Sequence, residues 1–532
     1  MILDMKKNIL YLFSVLLCLS CDDYLDTMPD NRAEIDSEEK INKLLVSAYP
    51  ESDYIVCTEL SSDNVDDYGS NNPYTDRFLE QVYGWQTITE TDNEDPKRIW
   101  EACYGAIANA NEALKAIDEM GNPDNLSAER GEALVARAYC HFILTNVFCQ
   151  NYSEKYSAQD LGVPYMEAAE TELDPKYERG TVLEDYEKMA KDLEEGLPLI
   201  NDAIYSVPKY HFNTRAAYTF ASRFYIFYQK WDKAIKYATM ALGNNPASLL
   251  RDYPSLVALP RNLKNVGTQY VSTSLKTNFL VQTAYSRLGT IFGAYYTGSR
   301  FSHGALLAQM ETLNNAPWGK YSTSTTNYAN MYKLRPYIYS GTNLDKTLLP
   351  RLPYLFEYTD PVAQTGYSRT VYVALSAEEA LLNRAEAYVM SDKYSEALVD
   401  INTWTSNTLN TVYAATPQLT EQSVVSWANS YEYYKPTAPT PKKKLNPDFL
   451  TIEAGSKQES FIHCLLYMRR CEFMHSGMRW FDIKRYGIEI HRRTVNGLAV
   501  NSVDDELKVR DNRRALQLPQ DVIKAGIIAN PR

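Results

Sequence analysis

"FNTRAAYTFASRFYIFYQKWDKAIKYATMALGNNP" runs from Phe212 to Pro246. Its small residues Ala217, Ala221, Ala234, Ala238 and Ala241 recur at helical spacing, with Tyr225, Trp231 and Tyr237 set among them. Residues three and four apart share one face of an α-helix. Small side chains let two helices approach closely, and aromatic ones fill the gaps beside them. The terminal Pro246 stops the run. The stretch therefore predicts two helices joined by a turn, one unit of a repeat that needs neighbours to cover its faces.

Those neighbours can be read on both sides. The pattern approximates the tetratricopeptide repeat. "SAEEALLNRAEAYVMSDKYSEALVDINTW", Ser376 to Trp404, restates it, with a capping box expected at Ser376 and Glu379. Upstream, Trp100, Tyr104, Ile107 and Asn111 fall on one helical face. A second helix is expected from Ser127, and a third between a capping box at Thr181 and Glu184 and a stop at Pro198. The predicted fold is mostly α, a tetratricopeptide-like helical repeat scaffold carrying long irregular loop insertions. Helical periodicity fades between about 247 and 370, where Tyr285, Tyr295, Tyr296, Trp318, Tyr321, Tyr328, Tyr332, Tyr337 and Tyr339 lie among Ser, Thr, Asn and Gly. Residues 61–96 and 405–460 look similar, and "PTAPTPKKK" (Pro436–Lys444) reads as an exposed loop. Long ordered segments of this kind are usually binding loops. The expected sections are a scaffold over 21–246, a loop-rich insertion over 247–370 and a C-terminal helical part over 371–532.

The N-terminus sets a location. Lys6 and Lys7 precede an apolar run, Ile9 to Leu19. That run is too short for a bilayer core, which needs about twenty residues, so 1–20 reads as a signal peptide. "LLCLSCDDYLD", Leu16 to Asp26, resembles a bacterial lipobox. The resemblance implies lipidation at Cys21 and a mature chain, 21–532, tethered to a membrane without spanning it. A net charge of −13 argues against nucleic acid, which needs a basic patch. Cys57, Cys103, Cys140, Cys149, Cys464 and Cys471 form no CxxC and read as buried small hydrophobes, although an exported location would permit disulfides. The 42 tyrosines stand out, since tyrosine joins a flat apolar face to a polar tip.

"YMRRCEFMHSGMRWFDIKRYG", Tyr467 to Gly487, resembles the helix signature of the SusD/RagB family of outer-membrane nutrient-binding lipoproteins. Arg469, Arg470, Glu472, Phe473, Gly477, Arg479, Trp480, Asp482 and Arg485 match it; Met468 and Ser476 replace two family acids. The likeness extends in order through Trp100–Asn111, the Glu132–Tyr139 helix, the central repeat and the "ALQLPQDVI" ending. It implies a surface-exposed oligosaccharide-binding lipoprotein without catalysis or cofactor. Such a protein delivers its ligand to a SusC-like TonB-dependent transporter in the outer membrane. Asp22 and Asp23 would mark export to the outer face. A peptide-binding lipoprotein of the RagB type, with the same partner, is the alternative.

Arg469 with Glu472, and Arg479 with Asp482, are spaced i, i+3. They are expected to pair along the helix, in a buried network pinning the last helices to the repeats. Arginine would hold those carboxylates ionised, which suits no general acid. The six histidines show no metal spacing, and no nucleophile elbow or phosphate loop is present. Nothing here demands an enzyme. A sugar is best held on a flat aromatic platform flanked by polar groups. One loop offers Asp63, Asn64, Asp66, Tyr68, Tyr74 and Trp85, the other Tyr296, Trp318 and Tyr321. Trp85 and Trp318 are the expected platforms, while Trp100, Trp231 and Trp480 belong to helical motifs and are expected in the core.

Overall fold

The structure is a computed structural model that describes residues 35–171, 175–321 and 327–532. The signal peptide expected over 1–20 and the lipidation site expected at Cys21 lie outside the described residues. The repeat helices are α1 (Pro96–Glu119), α2 (Ser127–Phe148), α3 (Val182–Gly196), α4 (Thr214–Phe227), α5 (Trp231–Leu242), α6 (Ala377–Met390) and α7 (Tyr394–Thr408). Successive helices pack in pairs, α1 on α2, α4 on α5 and α6 on α7. Ala217, Ala221, Ala234, Ala238 and Ala241 are fully buried between them.

Local chemistry starts these helices. Asp95 accepts from the Arg98 amide at the head of α1, with Pro96 in the first turn. The Thr181–Glu184 capping box opens α3 with both of its bonds made. At α6 only half of the expected box forms: Ser376 accepts from the Glu379 amide. The Glu379 carboxylate instead takes a two-pronged bond from Arg223 of α4, at 2.5 and 2.6 Å. A buried guanidinium needs a carboxylate partner, and Arg223 takes this one.

The C-terminal signature folds as α8 (Lys457–Glu472) and α9 (Met478–Arg485). Gly477 turns between them at φ +75°, where a Cβ would stand 2.1 Å from the Thr58 hydroxyl.

The insertion holds more order than its sequence advertises. The strands are β1 (Asp66–Asp67), β2 (Asn278–Tyr285), β3 (Phe301–Ser302), β4 (Tyr337–Gly341), β5 (Leu344–Leu348), β6 (Leu355–Asp360), β7 (Thr365–Ser376), β8 (Ile490–Asn496) and β9 (Ala499–Leu507). They form sheets ordered β3-β1-β8-β9 and β2-β7-β6, with β4–β5 as a hairpin. The alternation in "TVYVAL" of β7 is the period-two signal of a strand. One hydrophobic core runs from Ile41 to Ile527 through all sections. Trp100 and Trp480 are buried as expected, while Trp231 is half-buried against Phe449. All six described cysteines are buried and free. No described helix is long and apolar enough to cross a membrane.

Candidate functional site

The two loops singled out in the sequence do meet. Tyr74 donates its amide to the Gly298 carbonyl, and its own carbonyl accepts from the Arg300 amide. A Cβ on Gly298 would lie 3.2 Å from the Tyr74 ring and 2.7 Å from the Asn343 carbonyl, so only glycine permits this approach. Tyr74 therefore lies parallel to Tyr296, with ring centroids 5.4 Å apart at 15°. Tyr295 continues the series at 5.2 Å from Tyr296 and stacks on Tyr354 at 4.7 Å and 17°. Phe356 and Tyr358 form a second ring pair nearby on β6, 4.9 Å apart. Tyr74, Tyr295, Tyr354 and Tyr358 are 55, 60, 43 and 55% exposed. Large aromatic side chains seldom stay this open when their purpose is to fill a core.

Two buried polar side chains hold this ladder from beneath. Asn72 donates its amide to the Ser299 and Asp345 carbonyls, both at 2.9 Å, and its oxygen accepts from the Asp345 amide. The first loop is thereby sewn to the second. The Lys346 ammonium, fully buried, donates to the carbonyls of Ile291 at 2.5 Å, Gly293 at 2.8 Å and Tyr296 at 2.9 Å. Burial pushes its pKa down to about 7. Charges frame the edge: Arg300 grips Asp67 with two 2.8 Å bonds and reaches Glu80 at 3.1 Å, and Arg287 meets Asp76 at 2.8 Å.

Of the remaining expected contact residues, all but Tyr321 are buried, which corrects the sequence-based choice of Trp85 and Trp318 as open platforms. Trp318 is 0% exposed, wedged among Trp404, Tyr467 and Tyr332. Trp85 is 6% exposed, donates to the Ser61 carbonyl, and has the Arg492 guanidinium 4.0 Å over its ring. Tyr68 lies under Gly304 against Leu306 and Val495. Tyr321 is half-buried, with its ring 6.5 Å from that of Tyr413. Asp63, Asn64 and Asp66 are buried too, for a different reason.

These three receive two signature arginines and Arg493 of β8. Arg479 binds Asp63 at 2.7 and 2.9 Å, Arg470 binds the Asn64 side chain at 2.8 Å, and Arg493 binds Asp66 at 2.8 and 2.9 Å. Lys443 adds contacts to Asp63 at 2.8 Å and Glu311 at 2.9 Å. The "PKKK" loop is therefore anchored by Lys442 and Lys443, both buried, rather than wholly exposed. Burial would raise the Asp63 carboxyl, but Arg470, Arg479 and Lys443 outweigh it and hold it well below the usual range.

The expected pairs within the helices do not form. Arg469 reaches Asp482 at 2.9 Å and Arg479 reaches Asp63, while Glu472 accepts from the Trp404 indole. Arg485 with Asp482, at 2.8 Å, is an i, i+3 pair that does form. Burial pushes Glu472 up against the pull of Arg351, so arginine does not hold every signature carboxylate ionised. Two-pronged pairing needs partners facing the guanidinium, and those stand on other elements. The network does pin the last helices to the repeats, through Arg485 and Glu386 at 2.6 Å and Arg469 and Asn383 at 2.9 Å.

Tyr354 and Tyr358 were missed in the sequence. The aromatic alternation "YLFEY", Tyr354 to Tyr358, was the available signal for a strand with one aromatic face.

Residues 23–226 match the SusD-like_3 family, described as starch-binding and associating with the outer membrane. Among solved structures, a SusD superfamily protein from Bacteroides thetaiotaomicron is 19% identical, covering 92% of this chain and 98% of its own, with a TM-score of 0.59. A putative sugar binding protein from Bacteroides vulgatus is 18% identical over 94% and 99%, with a TM-score of 0.59. A laminarin binding SusD-like protein is 14% identical over 93% and 99%, with a TM-score of 0.52. Among curated protein sequences none matches the chain.

Proposed function

We propose, for a chain that is SusD-like in its residues 23–226 and in its whole fold, a non-catalytic role as a saccharide-binding lipoprotein. The observation that carries this is the ladder Tyr74–Tyr296–Tyr295–Tyr354, open to solvent and fixed from below. A pyranose presents an apolar C–H face to such a ring and its hydroxyls to the flanking Asp76, Glu80 and Arg300. The likeness to a putative sugar binding protein and a laminarin binding protein supports the ligand class.

By the same reading Cys21 is lipidated, and the protein sits on the outer membrane facing outward. It passes an oligosaccharide to a SusC-like TonB-dependent transporter. Binding energy drives that handover only if ligand favours the closed state of the pair over the open one. The RagB-type peptide reading keeps one specific support: β6 is a sheet edge, where an extended peptide could add as a strand.

The test is a glycan and peptide array with protein beginning just after Cys21, repeated with Tyr295→Ala and Tyr354→Ala. One glycan class should bind, and each variant should weaken it by about 2 kcal/mol, roughly thirtyfold. Binding untouched by both variants would remove the ladder as platform. Peptide binding alone would turn the reading to the alternative.

A further inference from the structure

A second concavity lies off the ladder. Residues facing each other across an antiparallel pair share a sheet face, and Tyr367 pairs with Glu357 while Tyr358 pairs with Gly366. Tyr367 therefore stands on the opposite face of the β6–β7 hairpin from Phe356 and Tyr358. Tyr285 of β2 is on that same face, edge-on to Tyr367 at 5.7 Å and 76°. The Arg369 guanidinium lies 4.2 Å over the Tyr285 ring and steadies it. Tyr285 and Tyr367 line a groove of about 560 Å³ together with α1 residues, Tyr49 and Glu51. That volume falls within the roughly 300–1,000 Å³ typical of small-ligand sites.

The α1 lining contains an anomaly. Gly105 sits in the middle of the 24-residue helix α1, where glycine weakens a helix relative to alanine. A Cβ there would meet nothing within 4 Å, so packing does not require the glycine. What the missing side chain keeps free is the groove, in which Ala102, Gly105 and Ala106 leave helix backbone bare. Tyr367 is 52% exposed above it. Polar groups stand at the rim: Arg98 and Glu101, loosely paired at 3.5 Å, and Glu51, exposed and with no side-chain partner among the described residues.

We propose that this groove is a second saccharide subsite, taking a neutral sugar ring against Tyr367 and Tyr285 over the bare backbone of Gly105. Among the lining side chains Glu51 and Glu101 face the single guanidinium of Arg98, and Glu101 is also met by Lys97 at 3.5 Å, so no surplus of positive charge is left on the lining to recruit an acidic sugar. The proposal rests on the saccharide reading of the ladder, and the two subsites would engage separate stretches or branches of one glycan.

The groove can be filled without disturbing the fold. Gly105→Met places a side chain into open space on a helical backbone and should leave the melting temperature unchanged or higher. Linear glucan, xylan and mannan hexasaccharides at millimolar concentration serve as probes, with affinity read by calorimetry. Gly105→Met and Tyr367→Ala should each weaken at least one hexasaccharide three- to tenfold. If both groove variants bind like the parent while Tyr295→Ala and Tyr354→Ala lose affinity, the groove is overturned and the ladder stands. If only the groove variants lose affinity, the ladder is overturned and the groove stands. Loss in one groove variant alone counts against the proposal, and no binding of any probe overturns both subsites.

Discussion

Asp63 and Tyr74 lie in one loop, and Tyr295 and Trp318 in another, yet the members of each pair meet opposite fates. Asp63 and Trp318 are buried, the first gripped by Arg479 and Lys443, the second closed in by aromatic neighbours. Tyr74 and Tyr295 remain more than half exposed, their rings joined in a surface series. The same two loops thus contribute both to a sealed interior and to an open aromatic ladder. Composition does not tell a binding loop from a structural one. What separates them is which partner each side chain finds.

The comparison breaks most easily at the sealed end. Asp63→Ala leaves Arg479, Arg470 and Lys443 facing one another without their common carboxylate. Removing one partner of a buried ion network costs about 3–5 kcal/mol. Urea unfolding should show that loss, and a change below about 1 kcal/mol would mean that water already compensates these charges.

A second effect, about half that size, is read by pH. Burial raises Glu59 to about 7, against the hydrogen bonds it accepts from the His475 and Gly477 amides and from Asn64. A carboxyl with a raised folded pKa contributes stability that is whole below its ordinary value near 4.5. That contribution is lost as pH rises through about 7. One such group changes stability by at most about 1.4 kcal/mol per pH unit. The urea midpoint should therefore fall between pH 5 and pH 7.5. A midpoint that is flat or rising there would place Glu59 among the carboxylates its neighbours hold ionised, like Asp63.

The smallest effect belongs to the joint between sealed and open regions. Lys346→Met removes the ammonium that gathers the Ile291, Gly293 and Tyr296 carbonyls. Hydrogen exchange should quicken over residues 291–299 and little elsewhere, with glycan affinity down about tenfold, or about 1.4 kcal/mol. Exchange that quickens evenly through the molecule would make Lys346 a core residue and nothing more.

The helices were legible because their signals are local. Thr181 with Glu184, and the alanines of α4 and α5, act within a few residues, and both behave as their spacing predicts. The sheet in the insertion was harder to see, since β2 and β7 pair across a long stretch of sequence. Part of the candidate ladder was legible. Tyr74 and Tyr296 were chosen from loop chemistry and do stack; Trp85 and Trp318 were chosen by the same argument and do not qualify. A large ring attracts a sugar and a core equally, so size could not decide.

The sequence by itself determined the scaffold and the family likeness, because helix periodicity, caps and the Arg469–Arg485 signature are written in neighbouring residues. Tertiary structure alone decided which aromatics face water. Tyr74 reaches Tyr296 only because Gly298, Asn72 and Lys346 bring two distant loops together, and Trp318 is buried because Trp404 and Tyr467 close over it. Exposure is a property of what packs against a residue, and those neighbours lie far away in the chain.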